Sequence, residues 1–216
     1  MKNILIIGLG SFGYYVATEL YKIEAEVLAV DTNEDNLKSV DQYVSKTIIG
    51  DGTNVDFLKS LGINNFDECI VTIGDDFQNS LETVLNLKEL GARKIIARAS
   101  KHSQENLLNK IGADVVVYPE KQLARWTALC CGSNSIYDFM ELEDNYGIYE
   151  IAVPEEWIDK TLAELNLRRK YNISIIGYKE NKSIKLITNS EFKLRNSIRL
   201  LILAKEEDAN RILLSI

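Results

Sequence analysis

The sequence predicts an α/β chain, a doubly wound parallel sheet of six strands followed by a small α+β domain. Three observations carry this. Residues 4–7 form an unbroken apolar run that ends in the glycine-rich turn GLGSFG at 8–13. Short apolar runs then alternate with helically spaced segments up to residue 118. From residue 147 the pattern changes to closely spaced strands with only short helical pieces.

The run at 4–7 has no polar alternation, as expected for a strand covered on both faces. Gly8 permits the sharp turn, Gly10 leaves room for a phosphate, and Gly13 lets the next helix pack on the strand. The free amides and positive end of that helix attract a phosphate. Apolar residues at Phe12, Val16 and Leu20 have helical spacing. A second strand, residues 27–30, ends at Asp31. An acid about 20 residues after the glycines stands where a ribose 2′-hydroxyl binds. The plainer role for Asp31 is a solvated cap. The whole strand–turn–helix–strand–acid order marks a Rossmann-like, dinucleotide-type site.

Strands are expected near 3–7, 26–30, 46–49, 68–73, 94–98 and 115–118. The helices between them carry Val55, Leu58 and Leu61, then Leu81, Val84 and Leu85, then Leu107, Leu108 and Ile111. Three of them stop at Gly62, Gly91 and Gly112, the residue a left-handed cap prefers. In such a sheet the ligand lies at the carboxyl ends of the strands. Those ends carry Gly50-Asp51-Gly52-Thr53, then Thr72-Ile73-Gly74-Asp75-Asp76 with Asn79, then Arg98. Asp76 and Asn79 serve equally as helix caps or ligand contacts. Asp51, Asp75 and Arg98 fall on the binding edge.

After Tyr118-Pro119-Glu120 a helix carries Leu123, Trp126, Leu129 and Cys130, and Pro119 suits its first turn. A short amphipathic piece follows with Ile136, Phe139, Met140 and Leu142. Its surplus apolar surface reads as a partner helix, a hinge or an ordinary crossover. The expected organisation is therefore 1–134 for the nucleotide domain with its crossover helix, 135–146 for a hinge helix or linker, and 147–216 for a small α+β domain. In the last, strands are expected at 148–153, 173–178, 184–187 and 199–203. Thr161 and Glu164 form a capping-box pattern, and a final helix opens on Glu206-Glu207-Asp208. A domain of about 70 residues is marginal alone, so pairing with a second copy would help.

Composition narrows the function. No apolar run approaches the length that spans a bilayer, and no signal peptide is read at the N-terminus. Cys69, Cys130 and Cys131 are too few for a disulfide scaffold and form no CxxC, so reduced thiols in a cytoplasm are expected. The net charge of −7 is uneven: residues 147–216 carry 12 Lys and Arg against 10 Asp and Glu, leaving 13 against 22 for residues 1–146. An acidic first domain argues against a nucleic-acid surface.

With these parts in order, the sequence resembles the cytosolic RCK regulatory subunits of Trk/Ktr potassium transport systems. The resemblance rests on IGLGSFG at 7–13, VLAVDTNED at 27–35, IIGDGT at 48–53 and VTIGDD at 71–76 with Asn79. It continues through KELGARKIIARAS at 88–100, KIGADVVVYPEK at 110–121 and LNLRRKYNISIIGYK at 165–179. It implies a nucleotide-binding first domain, taking NAD(H) or ADP, AMP or ATP as a regulatory ligand. It also implies a dimerising second domain that in relatives takes cyclic di-AMP. Dimers would form an octameric ring beneath a membrane-embedded potassium transporter subunit, at the inner face of the membrane, with gating through the dimer hinge angle and no catalysis. Carried over, Gly8, Gly10 and Gly13 would face the phosphates and Asp31 the ribose, with Ser11 and Phe12 of the same turn also cofactor-binding. Asn33 and Asp51 would lie near ribose and base and Arg98 at the mouth, with Thr53 and Asp75 counted among the cofactor-binding residues. Glu120 matches a glutamate that helps hold a divalent cation, although one carboxylate is by itself a poor metal site.

The sequence departs from the pattern at Ser11, where ATP-responsive relatives place an arginine. A serine brings no charge, which favours NAD(H), ADP or AMP. Ile187 and Thr188 depart from the serine and proline of relatives at the second-ligand site. The competing functions are a small NAD-dependent oxidoreductase and a DNA-binding redox repressor. The first needs a proton donor that only His102 or Tyr118 could supply, and the second needs a basic helix-turn-helix that the sequence does not display.

Overall fold

A computed structural model describes residues 1–74 and 76–213. The chain forms two compact units, residues 1–120 and 121–216. The first alternates strand and helix: β1 (Asn3–Ile7), α1 (Ser11–Lys22), β2 (Glu26–Asp31), α2 (Glu34–Val40), β3 (Lys46–Ile49), α3 (Val55–Leu61), β4 (Glu68–Val71), α4 (Phe77–Glu89), β5 (Ile95–Arg98), α5 (His102–Ile111) and β6 (Val115–Val117). The six strands are parallel and lie in the order β3-β2-β1-β4-β5-β6.

The apolar run of β1 is divided between the two faces of this sheet, because successive strand side chains point opposite ways. Leu5 and Ile7 pack with Val30, Leu58, Val71, Val84 and Leu87 on one face. Ile4 and Ile6 pack with Ala17, Val27, Ala29, Leu37 and Val40 on the other. Both faces are thus filled, which is why the sequence shows no alternation there. The strand order reverses between β1 and β4. That reversal opens a crevice above their carboxyl ends, where ligands bind in sheets of this kind.

The second unit contains most of α6 (Pro119–Gly132), then β7 (Ile136–Glu141), β8 (Tyr146–Ala152), α7 (Leu162–Leu165), α8 (Leu167–Tyr171), β9 (Ser174–Glu180), β10 (Ser183–Leu186), β11 (Arg199–Lys205) and α9 (Glu206–Leu213). Its strands form an antiparallel sheet in the order β10-β9-β11-β8-β7. Tyr149, Ile151, Leu200 and Ile202 on one sheet face pack with Trp157, Leu165, Leu194 and Ile212. The capping box at Thr161 and Glu164 is present.

One element departs from the sequence reading. Residues 136–141, expected as part of a hinge helix, form β7 and pair antiparallel with β8. The pairing shifts register between Ile136 and Asp138, so a bulge brings Ile136 and Phe139, three residues apart, to the same sheet face. Phe139 still packs inward, with its ring 4.9 Å from that of Tyr149.

Candidate functional site

The turn after β1 builds the floor of the site. Gly8 sits at φ +94°, where an L side chain is strained, and a Cβ there would lie 3.0 Å from the Ile73 backbone nitrogen. A Cβ on Gly13 would collide with the Gly8 carbonyl oxygen and the Thr72 hydroxyl. Thr72, buried at the end of β4, donates its hydroxyl hydrogen bond to the Gly8 carbonyl. Gly10, by contrast, has nothing within 4 Å of its Cβ position. The close fit at positions 8 and 13 and the open face at 10 are what a backbone presenting amides to an anion requires.

The helix that follows is left without a cap. α2, α3 and α4 are capped by the Asn33, Asn54 and Asp76 side chains, which accept amides of their own first turns. The N-cap of α1 is Gly10, which brings no side-chain hydrogen bond, and the first turn has no acid. The amides at the start of α1 therefore keep their affinity for an external acceptor.

They face a cavity of about 850 Å³. Its lining brings together Gly8, Gly10, Ser11 and Phe12 from the turn with Asp31, Asp51 and Arg98 from the strand ends. Asp76 and Asn79 also line it, while Asp76 caps α4 by accepting the Asn79 amide at 3.1 Å. Asp31 is almost buried, at 9% exposure. Its Oδ2 accepts the Leu9 amide at 2.5 Å and the Asn36 side-chain amide at 3.3 Å, and its Oδ1 accepts the Asn33 amide at 2.7 Å. Asp51 accepts both the Thr53 amide and hydroxyl, at 2.9 and 2.8 Å.

Some expected residues stand elsewhere. Gly13 lies beneath the turn and not in the lining. Asn33 caps α2, and neither it nor Thr53 is in the lining. Asp75 falls outside the described residues. Asn36 and Ser39 from α2, with Tyr14 and Tyr15 from α1, also line the cavity, beyond the residues the sequence predicts. Asn36 lies in the first turn of α2, three residues after its Asn33 cap, and that placement beside the end of β2 is the available signal. His102 is exposed at the start of α5, 3.2 Å from Glu105.

Arg98 ends β5. Its guanidinium lies 5.8 Å from the Phe12 ring centroid, packs against Gly74 and forms an ion pair with Glu120. For Glu120, partial burial opposes ionisation, but its own backbone amide and the Arg98 guanidinium outweigh burial and hold the carboxyl below its ordinary value. Among the described residues no three His, Cys, Asp or Glu side chains gather as a metal site. Glu120 is thus one carboxylate already engaged by an arginine, which does not fit the oxygen-rich shell of a hard cation. The second unit has its own cavity of about 440 Å³, with Arg168, Ile187 and Thr188 in its lining.

Comparison with known proteins agrees with both units. Residues 4–119 match the TrkA-N domain and residues 148–215 the TrkA-C domain. The Ktr system potassium uptake protein C of Bacillus subtilis is 38% identical over 85% of this chain and 83% of its own length. The Ktr system potassium uptake protein A of the same organism is 34% identical, covering 97% of this chain and 95% of its own. Among solved structures, the RCK domain of GsuK superposes with a TM-score of 0.68 at 20% identity, covering 100% of this chain. The GsuK channel bound to NAD gives 0.70 at 21% identity, covering 96%. This chain spans 47% and 38% of those two chains, and at such identities the likeness is one of fold.

Proposed function

This chain belongs to the TrkA-N/TrkA-C family, and from that premise we propose that it is the nucleotide-sensing regulatory subunit of a potassium-uptake system. The observation that carries the ligand is the uncapped start of α1 opening onto the cavity, with the Asp31 carboxylate on the same cavity wall. In this reading the α1 amides hold a phosphate, Asp31 holds the ribose hydroxyls and Arg98 faces the phosphate charge. Asp31 keeps lone pairs for a ribose beyond its three present donors. Ser11 brings no charge, so the ligand is NAD(H), ADP or AMP ahead of ATP.

The regulatory role follows from the relatives' function in potassium uptake. Among its described residues no helix is long and apolar enough to cross a membrane. In this reading the ion path belongs to a membrane-embedded partner subunit, as suits a relative of potassium uptake proteins. The protein works at the cytoplasmic face of that partner, without catalysis. Self-association supplies the moving parts: Leu123 and Trp126 on α6 and Met140 on β7 are exposed apolar residues suited to a second copy, in a dimer and then a ring. The cavity of the second unit, with Arg168 in its lining, is the place where a cyclic di-AMP-type ligand would bind, and Ile187 and Thr188 are where it departs from the relatives' pattern.

Isothermal titration with NAD+, NADH, ADP, AMP and ATP, using Asp31→Ala as control, tests the ligand. Binding that is lost in the variant supports the reading, and no binding by the wild type refutes it. Potassium flux through vesicles containing the membrane subunit should then respond to that ligand only when this protein is present.

A further inference from the structure

We propose that Glu120 is a positioning residue that aims Arg98, the one Arg or Lys lining the cavity among the described residues, at an incoming phosphate. The inference rests on the nucleotide reading above and assigns Glu120 a task other than holding a cation.

The lining makes the need plain. It contains three carboxylates, Asp31, Asp51 and Asp76, and Arg98 is its one Arg or Lys among the described residues. A phosphate entering that wall meets mostly like charge, so the placement of one guanidinium decides whether charge-assisted bonds form. Arg98 is held on three sides. The Phe12 ring lies on one, Gly74 packs against Nη1, and the Glu120 carboxylate accepts from Nη2. Its Nε is buried with no hydrogen-bond partner among the described residues. A buried donor without an acceptor is costly, so this arginine is held in place at the expense of one unmade hydrogen bond. A planar fork held by one nitrogen loses less freedom when the others bind, so the cost of ordering Arg98 is met before the ligand arrives.

Glu120 suits this task by its position. It lies in the first turn of α6, directly after Pro119, where the helix end favours an anion. The carboxylate is about half exposed, at 51%, so the ion pair contributes little to stability and its effect should appear in ligand binding.

ADP titration in a chelating buffer separates the possibilities. Arg98→Ala should weaken ADP binding about tenfold or more. Glu120→Ala should weaken it severalfold, and the double variant no further than Arg98→Ala alone. Glu120→Gln, which keeps an acceptor, should recover most of the loss. Adding calcium should change wild type and Glu120→Ala alike. Wild-type binding with Glu120→Ala unaltered, additive losses in the double variant, or a calcium-dependent gain lost in Glu120→Ala would each overturn the positioning role alone. No ADP binding by the wild type overturns the nucleotide reading and this proposal with it.

Discussion

Asp31, at the carboxyl end of β2, holds the backbone amide of Leu9 at 2.5 Å and so ties the glycine turn of β1 to the neighbouring strand. The acid read from the sequence as a ribose contact is therefore also a clamp on the phosphate turn. Its other oxygen holds the Asn33 amide, which fixes the entry into α2. A ligand that touches Asp31 touches the anchor of two loops at once.

Replacing Asp31 should consequently have two effects. Asp31→Ala removes acceptors from two amides in a nearly buried setting, which should cost about 2 kcal/mol of stability. It should also weaken nucleotide binding at least tenfold. Asp31→Asn keeps the shape but only one acceptor oxygen, so it should recover stability more fully than affinity. A ligand with a 2′-phosphate, such as NADP+, should bind wild type at least tenfold more weakly than NAD+, because it places its charge against this carboxylate. Paired thermal melts and titrations read both effects, and equal affinity for the two dinucleotides would contradict the placement.

Thr72 braces the same turn from β4. Its hydroxyl donates to the Gly8 carbonyl, while its amide donates to the Ile7 carbonyl at 2.9 Å. Thr72→Val preserves volume and the amide bond but deprives Gly8 of its donor. The expected cost is about 1–2 kcal/mol, with a further loss in nucleotide affinity as the turn relaxes, and Thr72→Ser should restore both. Chemical denaturation and titration of the two variants check this.

The thiols should separate by position. Cys69 in β4 is buried, and burial pushes its pKa up to about 12. Cys131 is exposed at the end of α6. Cys130 is partly buried, and burial first, then Asp138 and its neighbouring thiol, raise its pKa. At about pH 8 a thiol reagent should label Cys131 first, Cys130 more slowly and Cys69 only after unfolding, since the thiolate is the reactive form. Counting labels against time by mass spectrometry gives the order.

Much of this was legible because it follows from local chemistry. The glycine turn, the apolar run split between two sheet faces, and the left-handed residues Gly62 and Gly112 at helix ends all obey short-range rules. What was not legible depended on pairing. Residues 136–141 carry an apolar spacing that reads as helix, and only a bulge formed beside β8 lets that spacing fit a strand. Asn33 and Asn36 are chemically alike in sequence. Only the position of the helix start makes the first a cap and turns the second into the cavity wall. Arg98 and Glu120 are 22 residues apart, and only the neighbouring placement of β5 and β6 brings them together.

The opposite edge of the first sheet carries two carboxyls that should make stability fall in acid. Glu68 at the start of β4 is held below its ordinary value of 4.5, first by its hydrogen bond from Lys2 and also by Lys94, against partial burial. Lys2 lies 2.6 Å from it and Lys94 3.2 Å. Beside it, the Asn3 amide and then Arg93 lower the pKa of Asp67, with burial opposing. A carboxyl depressed by folding stabilises the protein above its unfolded pKa. That contribution is lost as pH falls from about 4.5 through the lower folded value. Urea midpoints should therefore drop below pH 4.5 more steeply for wild type than for Glu68→Gln, which removes the titrating group. Raising the salt concentration should shrink the difference, since Lys2 and Lys94 are substantially solvent-exposed. Parallel curves for the two proteins would mean that the pairs around Glu68 do not hold the lower edge of the sheet.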